Sequence, residues 1–166
     1  MKNLTEYLGQ YARYHRDKRN LLTHYIGIPL IVVAIYSFIS IPLLTLASVV
    51  ITPALLLYLA TSLFYFRLDL RYGLAMLLFN SLCLAIAYYI SAQPFSSWLI
   101  SSISLFVIGW ILQFIGHYYE GKKPAFIDDA VGLIVGPLFI VAELGFELGL
   151  RKSLQQNIEN IAGKMH

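Results

Sequence analysis

Long apolar segments dominate this chain and limit what it can fold into. They cover residues 21–39, 43–66, 72–90, 98–119 and 125–150. A transmembrane helix needs about 20 consecutive, mostly apolar residues, and each segment reaches or approaches that length. The chain is 58% apolar and only 13% charged, far from the composition of a soluble domain. The sequence therefore predicts an all-α integral membrane protein whose 166 residues form a single membrane domain.

The segments outside the apolar runs predict how the ends meet the membrane. Residues 3–19 are predicted to form an interfacial amphipathic helix, because Asn3 and Glu6 resemble a capping box and tyrosines precede a cluster of basic residues. Residues 21–150 form the helical membrane core, with Asn20 as the predicted cap of its first helix, and residues 151–166 form an amphipathic tail. The polar N-terminal residues do not resemble a cleavable signal peptide. Cys83 is the single cysteine, which excludes an intrachain disulfide.

The placement of basic residues predicts the topology. They occur before the first run, between the second and third, between the fourth and fifth, and after the fifth, and the positive-inside rule places all of them on the cytoplasmic side. This requires about four transmembrane helices and a broken, re-entrant or interfacial C-terminal helix pair that turns at Gly136-Pro137. Five crossings would leave Arg151 and Lys152 on the wrong side. The membrane is the bacterial inner membrane or, in a eukaryote, the endoplasmic reticulum. The net charge of +3 is ordinary for cytoplasmic loops and does not indicate nucleic-acid binding.

The end of the fourth apolar run carries the polar groups that most strongly suggest a site. If this run is helical, Gln113, His117 and Glu120 fall at positions i, i+4 and i+7 and lie on one face. Gly109 and Gly116 lie one heptad apart and would let another helix approach closely. Placing an amide, an imidazole and a carboxylate beside lipid is costly unless they bind one another or a ligand. The sequence therefore predicts a functional site on this face.

The predicted topology brings further ligand-type residues to the same membrane face. Imidazole is the commonest protein ligand for transition metals, and two or three histidines with a carboxylate suit non-haem Fe(II). His15 and His24 can share a ligand only if the chain bends between residues 16 and 20. Ligand type alone fits zinc as well as iron. The candidate metal ligands are His15, His24, His117, Glu120 and Glu143.

Each of these residues also has a simpler interpretation. The histidines could be hydrogen-bonded residues of packed helices, and Glu120 could pair with Lys122 or Lys123. Glu143 lies in an apolar run, so a partner is expected, whether a metal or another side chain. The residues predicted to support ligands by hydrogen bonds are Asn20, Gln113 and Asp128, the last of which could instead cap the following helix.

The polar and glycine positions together resemble a known family, the 2-hydroxy fatty acid dioxygenases, which include fungal membrane proteins of phytosphingosine breakdown and bacterial relatives. The resemblance covers about residues 7–150. The positions that carry it are Tyr14-His15, Asn20, His24, Pro29, Gly109-Trp110, Gln113-Phe114, Gly116-His117, Glu120, Pro124-Ala125, Asp128, Pro137 and Glu143.

This resemblance implies an Fe(II)-dependent α-oxidation in which a 2-hydroxy fatty acid and dioxygen give a fatty acid one carbon shorter. It implies that His15, His24 and His117 ligate iron, that Glu120 or Glu143 completes or supports the site, and that Lys122, Lys123 or Arg19 attracts the substrate carboxylate. The alternatives are a non-enzymatic membrane protein that binds or transports lipids, and a zinc-dependent lipid-modifying enzyme. Glycine-bearing helix faces would also serve a homo-oligomer.

Overall fold

The protein is mostly helical, as the sequence predicts. The computed structural model describes residues 2–166. Its helices are α1 (Leu4–Ala12), α2 (Lys18–Phe38), α3 (Pro53–Leu68), α4 (Leu70–Ser91), α5 (Phe95–Glu120), α6 (Gly132–Glu147) and α7 (Lys152–Ala162). A short hairpin, β1 (Leu44–Leu46) and β2 (Val49–Ile51), precedes α3, and a single 3-10 turn (Ala125–Ile127) precedes α6.

Within the described residues, α2, α4 and α5 are long and apolar enough to cross a membrane. The pair α6 and α7, bent by 119° at the break between them, would raise the number of spans to four if it counts as one. At a rise of 1.5 Å per residue, the 16 residues of α3 reach about 24 Å, short of a hydrocarbon core of about 30 Å. Length and composition thus allow three spans, or four with the bent pair, and the number of crossings remains a prediction.

The second apolar run, which the sequence predicts as a helix over residues 43–66 with a bend near Pro53, is helical only from Pro53 onward. Residues 44–51 form an antiparallel hairpin in which Leu46 pairs with Val49 across a turn at Ala47 and Ser48, both with positive φ. Two positive-φ residues suit the tight turn of a β-hairpin, and the flanking β-branched residues favour strands. The helix begins only at Pro53, a favourable first helical position, with Thr52 as its N-cap. The predicted helix over residues 43–66 is therefore wrong for its N-terminal part.

The predicted interfacial helix over residues 3–19 is also too long. The capping box is confirmed, since the Asn3 side chain accepts from the Glu6 amide and the Glu6 carboxylate accepts from the Asn3 amide. Helix α1 ends at Ala12, and a turn over residues 13–17 leads into α2. Asp17, rather than Asn20, takes the capping role, because its carboxylate accepts from the Arg19 amide. The Asn20 side chain is thereby left to bind elsewhere.

The predicted turn at Gly136-Pro137 is wrong, because α6 continues through both residues. A side chain at Gly136 would place its Cβ 2.9 Å from the Tyr11 hydroxyl, so this glycine permits close packing rather than a turn. The break instead follows Glu147, where Gly149 and Arg151 have positive φ. Glycine adopts this conformation without strain, which explains why the bend lies there.

The described chain divides into two compact units. One contains the residues up to Ile28 together with Ile111–His166, and the other is Pro29–Trp110. In the first unit α1 packs against α6 and α7, and all the predicted site residues belong to this unit. In the second unit α3 packs against α4, and its buried core comprises Val33, Tyr36, Ala54, Cys83, Leu84 and Ala87.

Candidate metal centre

Three buried histidines meet in the first unit. His15 comes from the turn between α1 and α2, His24 from α2, and His117 from α5. Their ring centroids are 4.6 Å apart for His15 and His24, 4.8 Å for His15 and His117, and 5.1 Å for His24 and His117. One nitrogen of each ring lies within 4.8 Å of a nitrogen of the others, an arrangement that could hold a metal ion.

The break between α1 and α2 is what allows His15 and His24 to meet. A continuous helix would place residues nine apart on different faces. The chain instead turns over residues 13–17, slightly before the position at which the sequence requires a bend. The His15 amide donates to the Ala12 carbonyl within this turn. The imidazole of His15 is thereby directed toward α2.

Backbone carbonyls determine which ring nitrogens of His15 and His24 carry a proton. Nδ1 of His15 lies 2.8 Å from the Tyr11 carbonyl oxygen, and Nδ1 of His24 lies 2.9 Å from the Asn20 carbonyl oxygen. A carbonyl oxygen only accepts, so Nδ1 donates in both rings and each neutral imidazole presents a lone pair at Nε2. These two Nε2 atoms face each other at 3.1 Å.

Two lone pairs at this distance repel each other unless a proton or a cation lies between them. Burial lowers the pKa of His15 well below its ordinary range, which disfavours the proton. Nitrogen ligands bound at about 2.1 Å and about 90° apart would be separated by about 3 Å. Nδ1 of His117 is also buried and lacks a hydrogen-bond partner within the described chain. The donor set therefore fits a bound transition-metal ion.

Tyr11 and Phe139 shield His15. The Tyr11 ring stacks on the His15 imidazole, with ring centroids 4.1 Å apart and an angle of 2° between the planes. The centroid of the Phe139 ring lies 5.6 Å from that of the same imidazole. Burial raises the pKa of the Tyr11 phenol, which keeps it neutral. The sequence suggests only an interfacial role for Tyr11. Tyr11 lies four residues before His15, just as Asn20 lies four residues before His24. This spacing is the sequence signal that could have indicated a hydrogen bond from each imidazole to the earlier residue's carbonyl.

Glu120 binds the backbone of the turn that carries His15. Its carboxylate accepts hydrogen bonds of 2.9 Å from the backbone amides of Arg16 and Asp17, and of 3.0 Å from Nδ2 of Asn20. Lys122 Nζ lies farther away, at 4.0 Å. These contacts give the carboxylate three donor groups, two of them from the histidine turn. Glu120 therefore lies beside the histidines as a support of their backbone, and its oxygens are not among the gathered ligand atoms of the described residues.

Glu143, the other candidate carboxylate, forms a buried ion pair with Arg16. The Arg16 Nη2 atom lies 2.9 Å from Glu143 Oε1, and both side chains are more than nine-tenths buried. Nε of Arg16 also donates to the carbonyls of Ala12 and His15 at 2.9 Å. Arg16 thus connects α6 to the histidine turn. Sequence reasoning missed this role, because Arg16 resembles the other basic residues near a headgroup interface.

Comparison with known proteins identifies the family of this chain. A family model described as 2-hydroxy-palmitic acid dioxygenase Mpo1-like matches residues 1–148. The chain belongs to the Mpo1-like family. It is also 35% identical, over 169 aligned positions, to the 2-hydroxy-palmitic acid dioxygenase MPO1 of Saccharomyces cerevisiae. The alignment covers 95% of this chain and 88% of that protein. No solved structure matches this chain.

The Mpo1-like match includes all three histidines and both candidate carboxylates, since it extends from the N-terminal residues to residue 148. This confirms the family resemblance inferred from the sequence. Among the predicted supporting residues, Asn20 bonds to Glu120 and to the Tyr14 carbonyl. Gln113 is buried. Asp128 is exposed and accepts from the Tyr14 hydroxyl at 2.7 Å and from Lys123 at 2.6 Å.

The cations predicted to attract a substrate in this Mpo1-like protein are engaged with other groups. Lys123 pairs with Asp128, and Arg19 pairs with Asp17 at 2.8 Å. Lys122 donates to the Arg13 carbonyl at 2.7 Å. Each lysine ammonium has three donors, so Lys122 and Lys123 keep donors for a further acceptor.

Proposed function

We propose that this Mpo1-like protein is an Fe(II)-dependent dioxygenase that shortens 2-hydroxy fatty acids by one carbon. The 2-hydroxy acid and one molecule of dioxygen give the shorter fatty acid, carbon dioxide and water, so the bond between C1 and C2 breaks and dioxygen is the only oxidant. The observation that carries the proposal is the pair of Nε2 atoms of His15 and His24 that face each other at 3.1 Å, with a ring nitrogen of His117 within 4.8 Å of its partners in the cluster. The named activity of the yeast relative supports the choice of reaction.

The ligands in this proposal are His15, His24 and His117, while Glu120 and Glu143 hold the histidine turn. When bound, iron would supply open positions for the substrate oxygens and for dioxygen, together with the one-electron chemistry that dioxygen requires. The Tyr11 and Asn20 carbonyls keep the Nδ1 protons of His15 and His24 in place, so both rings remain neutral and correctly oriented. Tyr11 and Phe139 exclude water from one side of His15.

The apolar helices suit a substrate with a long acyl chain. Large apolar side chains on α5 are exposed, including Ile111, Phe114 and Ile115, and would meet lipid in a membrane. We place the site at the cytoplasmic face of a bacterial inner membrane or an endoplasmic reticulum membrane, on the basis of the positive-inside rule. A fatty acid dissolved in the bilayer would then reach the histidines from the membrane.

A second candidate is a zinc-dependent lipid-modifying enzyme. It is favoured by one observation: the gathered ligand atoms come from three histidines, whereas the two nearby carboxylates are bound elsewhere. Three histidines with one open position are typical of catalytic zinc sites. Zinc undergoes no redox chemistry, so a zinc enzyme would not consume dioxygen.

The direct test is an assay of the purified protein in detergent with 2-hydroxypalmitate, after loading with Fe(II) or Zn(II). We expect a product one carbon shorter with Fe(II) under air, with one dioxygen consumed per product, and none under nitrogen. Palmitate, which lacks the hydroxyl, serves as the control substrate. Equal turnover under nitrogen, or turnover with zinc alone, would contradict the dioxygenase assignment.

A further inference from the structure

Gln113 in α5 is a buried polar side chain whose amide nitrogen has no partner. Only 6% of the residue is exposed, and Nε2 makes no hydrogen bond within the described part of the chain. A buried amide donor that remains unpaired is costly, and native proteins satisfy most such groups. An unpaired donor beside a candidate metal centre therefore indicates a group that binds a ligand.

The helix places Gln113 next to the histidine cluster. Gln113 lies one turn before His117, so the two side chains share a face of α5. Helical side chains lean toward the N-terminus of their helix, which places the His117 ring over the turn that carries Gln113. Nδ1 of His117 is likewise buried and unpartnered among the described residues. The two residues that carry these unsatisfied groups are therefore neighbours on one face of α5.

The chemistry of the amide suits the head of the proposed substrate. Amide hydrogens donate to carboxylate and hydroxyl oxygens, both of which a 2-hydroxy acid carries on adjacent carbons. Lys123 and Arg19 are paired with Asp128 and Asp17, and Lys122 is half exposed and donates to the Arg13 carbonyl, so these cations lie among other partners, whereas the Gln113 amide is buried and unpartnered. A neutral donor also avoids adding a positive charge beside a cationic metal ion.

We propose that Gln113 binds the substrate by donating a hydrogen bond from Nε2 to an oxygen of the 2-hydroxy acid head. The proposal rests on the proposed function, since it takes its substrate from there. Gln113 selects amphiphiles with an oxygen-rich head at the metal centre and is not a metal ligand. Its loss weakens substrate binding and leaves the metal in place.

A buried, unpartnered amide can also be a feature of helix packing, and the chain contains a matched example. Asn80 in α4 belongs to the other compact unit, is 3% exposed, and has an unpartnered Nδ2 within the described residues. Gln113→Met and Asn80→Leu each replace a buried amide by an apolar side chain of similar volume, one beside the histidines and one in the other unit. The comparison of Gln113→Met with Asn80→Leu therefore separates a substrate contact from a packing effect.

The experiment measures binding of 2-hydroxypalmitate and palmitate to the iron-loaded, full-length protein in detergent under nitrogen, where no turnover occurs, together with iron content. We expect Gln113→Met to keep its iron and to bind 2-hydroxypalmitate at least about tenfold more weakly, while Asn80→Leu binds like the wild type. Weakening for 2-hydroxypalmitate alone assigns the contact to the hydroxyl, and weakening for both acids assigns it to the carboxylate.

Gln113→Glu covers the case in which the methionine variant does not fold, because it keeps the size of the side chain and replaces its donor by an acceptor. It should also bind 2-hydroxypalmitate at least about tenfold more weakly. Affinity within twofold of the wild type in a folded Gln113 variant, or loss of iron in it, would overturn the proposal. Wild-type protein that binds 2-hydroxypalmitate but does not oxidise it under air would contradict the proposed function and still leave this comparison valid.

Discussion

The Nε2 atoms of His15 and His24 lie 3.1 Å apart, and each ring donates its Nδ1 proton to the carbonyl of the residue four positions earlier. The two residues come from different segments, one from a turn and one from a helix, yet they use the same local contact. Each carbonyl fixes both the tautomer and the orientation of its ring. The pair is therefore preorganised to receive a cation.

Helix approach at Gly116 can be tested with a single methyl group. A Cβ at this position would lie 2.3 Å from Thr23 Oγ1 and 2.4 Å from Asn20 Oδ1. We expect Gly116→Ala to push α5 from α2, to cost about 1–3 kcal/mol and to weaken metal binding through His117. Thermal unfolding in detergent and iron titration measure both effects. Gly145→Ala is the matched control, because nothing lies within 4 Å of that Cβ, and it should be neutral or slightly stabilising.

Glu120 is expected to act through the backbone of the histidine turn. In Glu120→Gln an amide group replaces one carboxylate oxygen and faces the amides of Arg16 and Asp17, which are themselves donors. We expect metal affinity to fall by about 10–100-fold, as for other groups that support ligands. Competition with a metal chelator measures this change.

Lys122→Met is the control for the Glu120 variant. The lysine lies 4.0 Å from Glu120 and is half exposed, so its loss should change stability by less than about 1 kcal/mol. A Glu120→Gln variant with wild-type metal affinity would show that the turn does not depend on this carboxylate.

The ion pair of Arg16 and Glu143 predicts a non-additive pair of mutations. Arg16→Met leaves a buried carboxylate without its partner and should cost about 3–5 kcal/mol, whereas the double variant with Glu143→Leu should recover part of that loss. Arg19→Met, which removes the mostly exposed partner of Asp17, should change stability far less than Arg16→Met. Chemical unfolding in mild detergent gives the values. Additive effects of the two single changes would mean that the ion pair contributes little.

The buried neutral state of His15 predicts how the metal-free protein responds to acid. Burial lowers the pKa of His15 well below its ordinary value of about 6.5, so the unfolded chain binds more protons than the folded one in mild acid. Stability should therefore be complete above about pH 6.5 and decline as the pH falls below it. Thermal unfolding across this range should show a smaller decline in His15→Gln. An equal decline in that variant would contradict the assignment.

The sequence predicted the contacts correctly where they join residues close together in the chain or on one continuous helix. The capping box of Asn3 and Glu6 involves neighbours, and the shared face of Gln113 and His117 follows from one continuous helix. The sequence did not predict contacts between residues that are far apart in the chain. Glu120 binds amides more than 100 positions away, and its donors are backbone groups that any residue could supply.

The same distinction explains the errors in the fold. Gly136 resembles a helix breaker, but in the structure its missing side chain makes room for Tyr11, which belongs to another helix. The hairpin at residues 44–51 has the apolar composition of a membrane helix, and its turn at Ala47 and Ser48 lacks the glycine or asparagine that usually marks one. A short apolar run can form either a strand or a helix, so hydropathy alone does not distinguish the two over this segment.

The most direct test of the metal centre is the metal content of the purified protein, compared between the wild type and the double variant His24→Ala with His117→Ala. After anaerobic reconstitution with Fe(II), we expect about one iron per chain in the wild type and none in the variant. The variant removes two of the three gathered ligands, so a single remaining imidazole would not retain the ion. Iron retained by the variant, or absent from the wild type after reconstitution, would contradict the account.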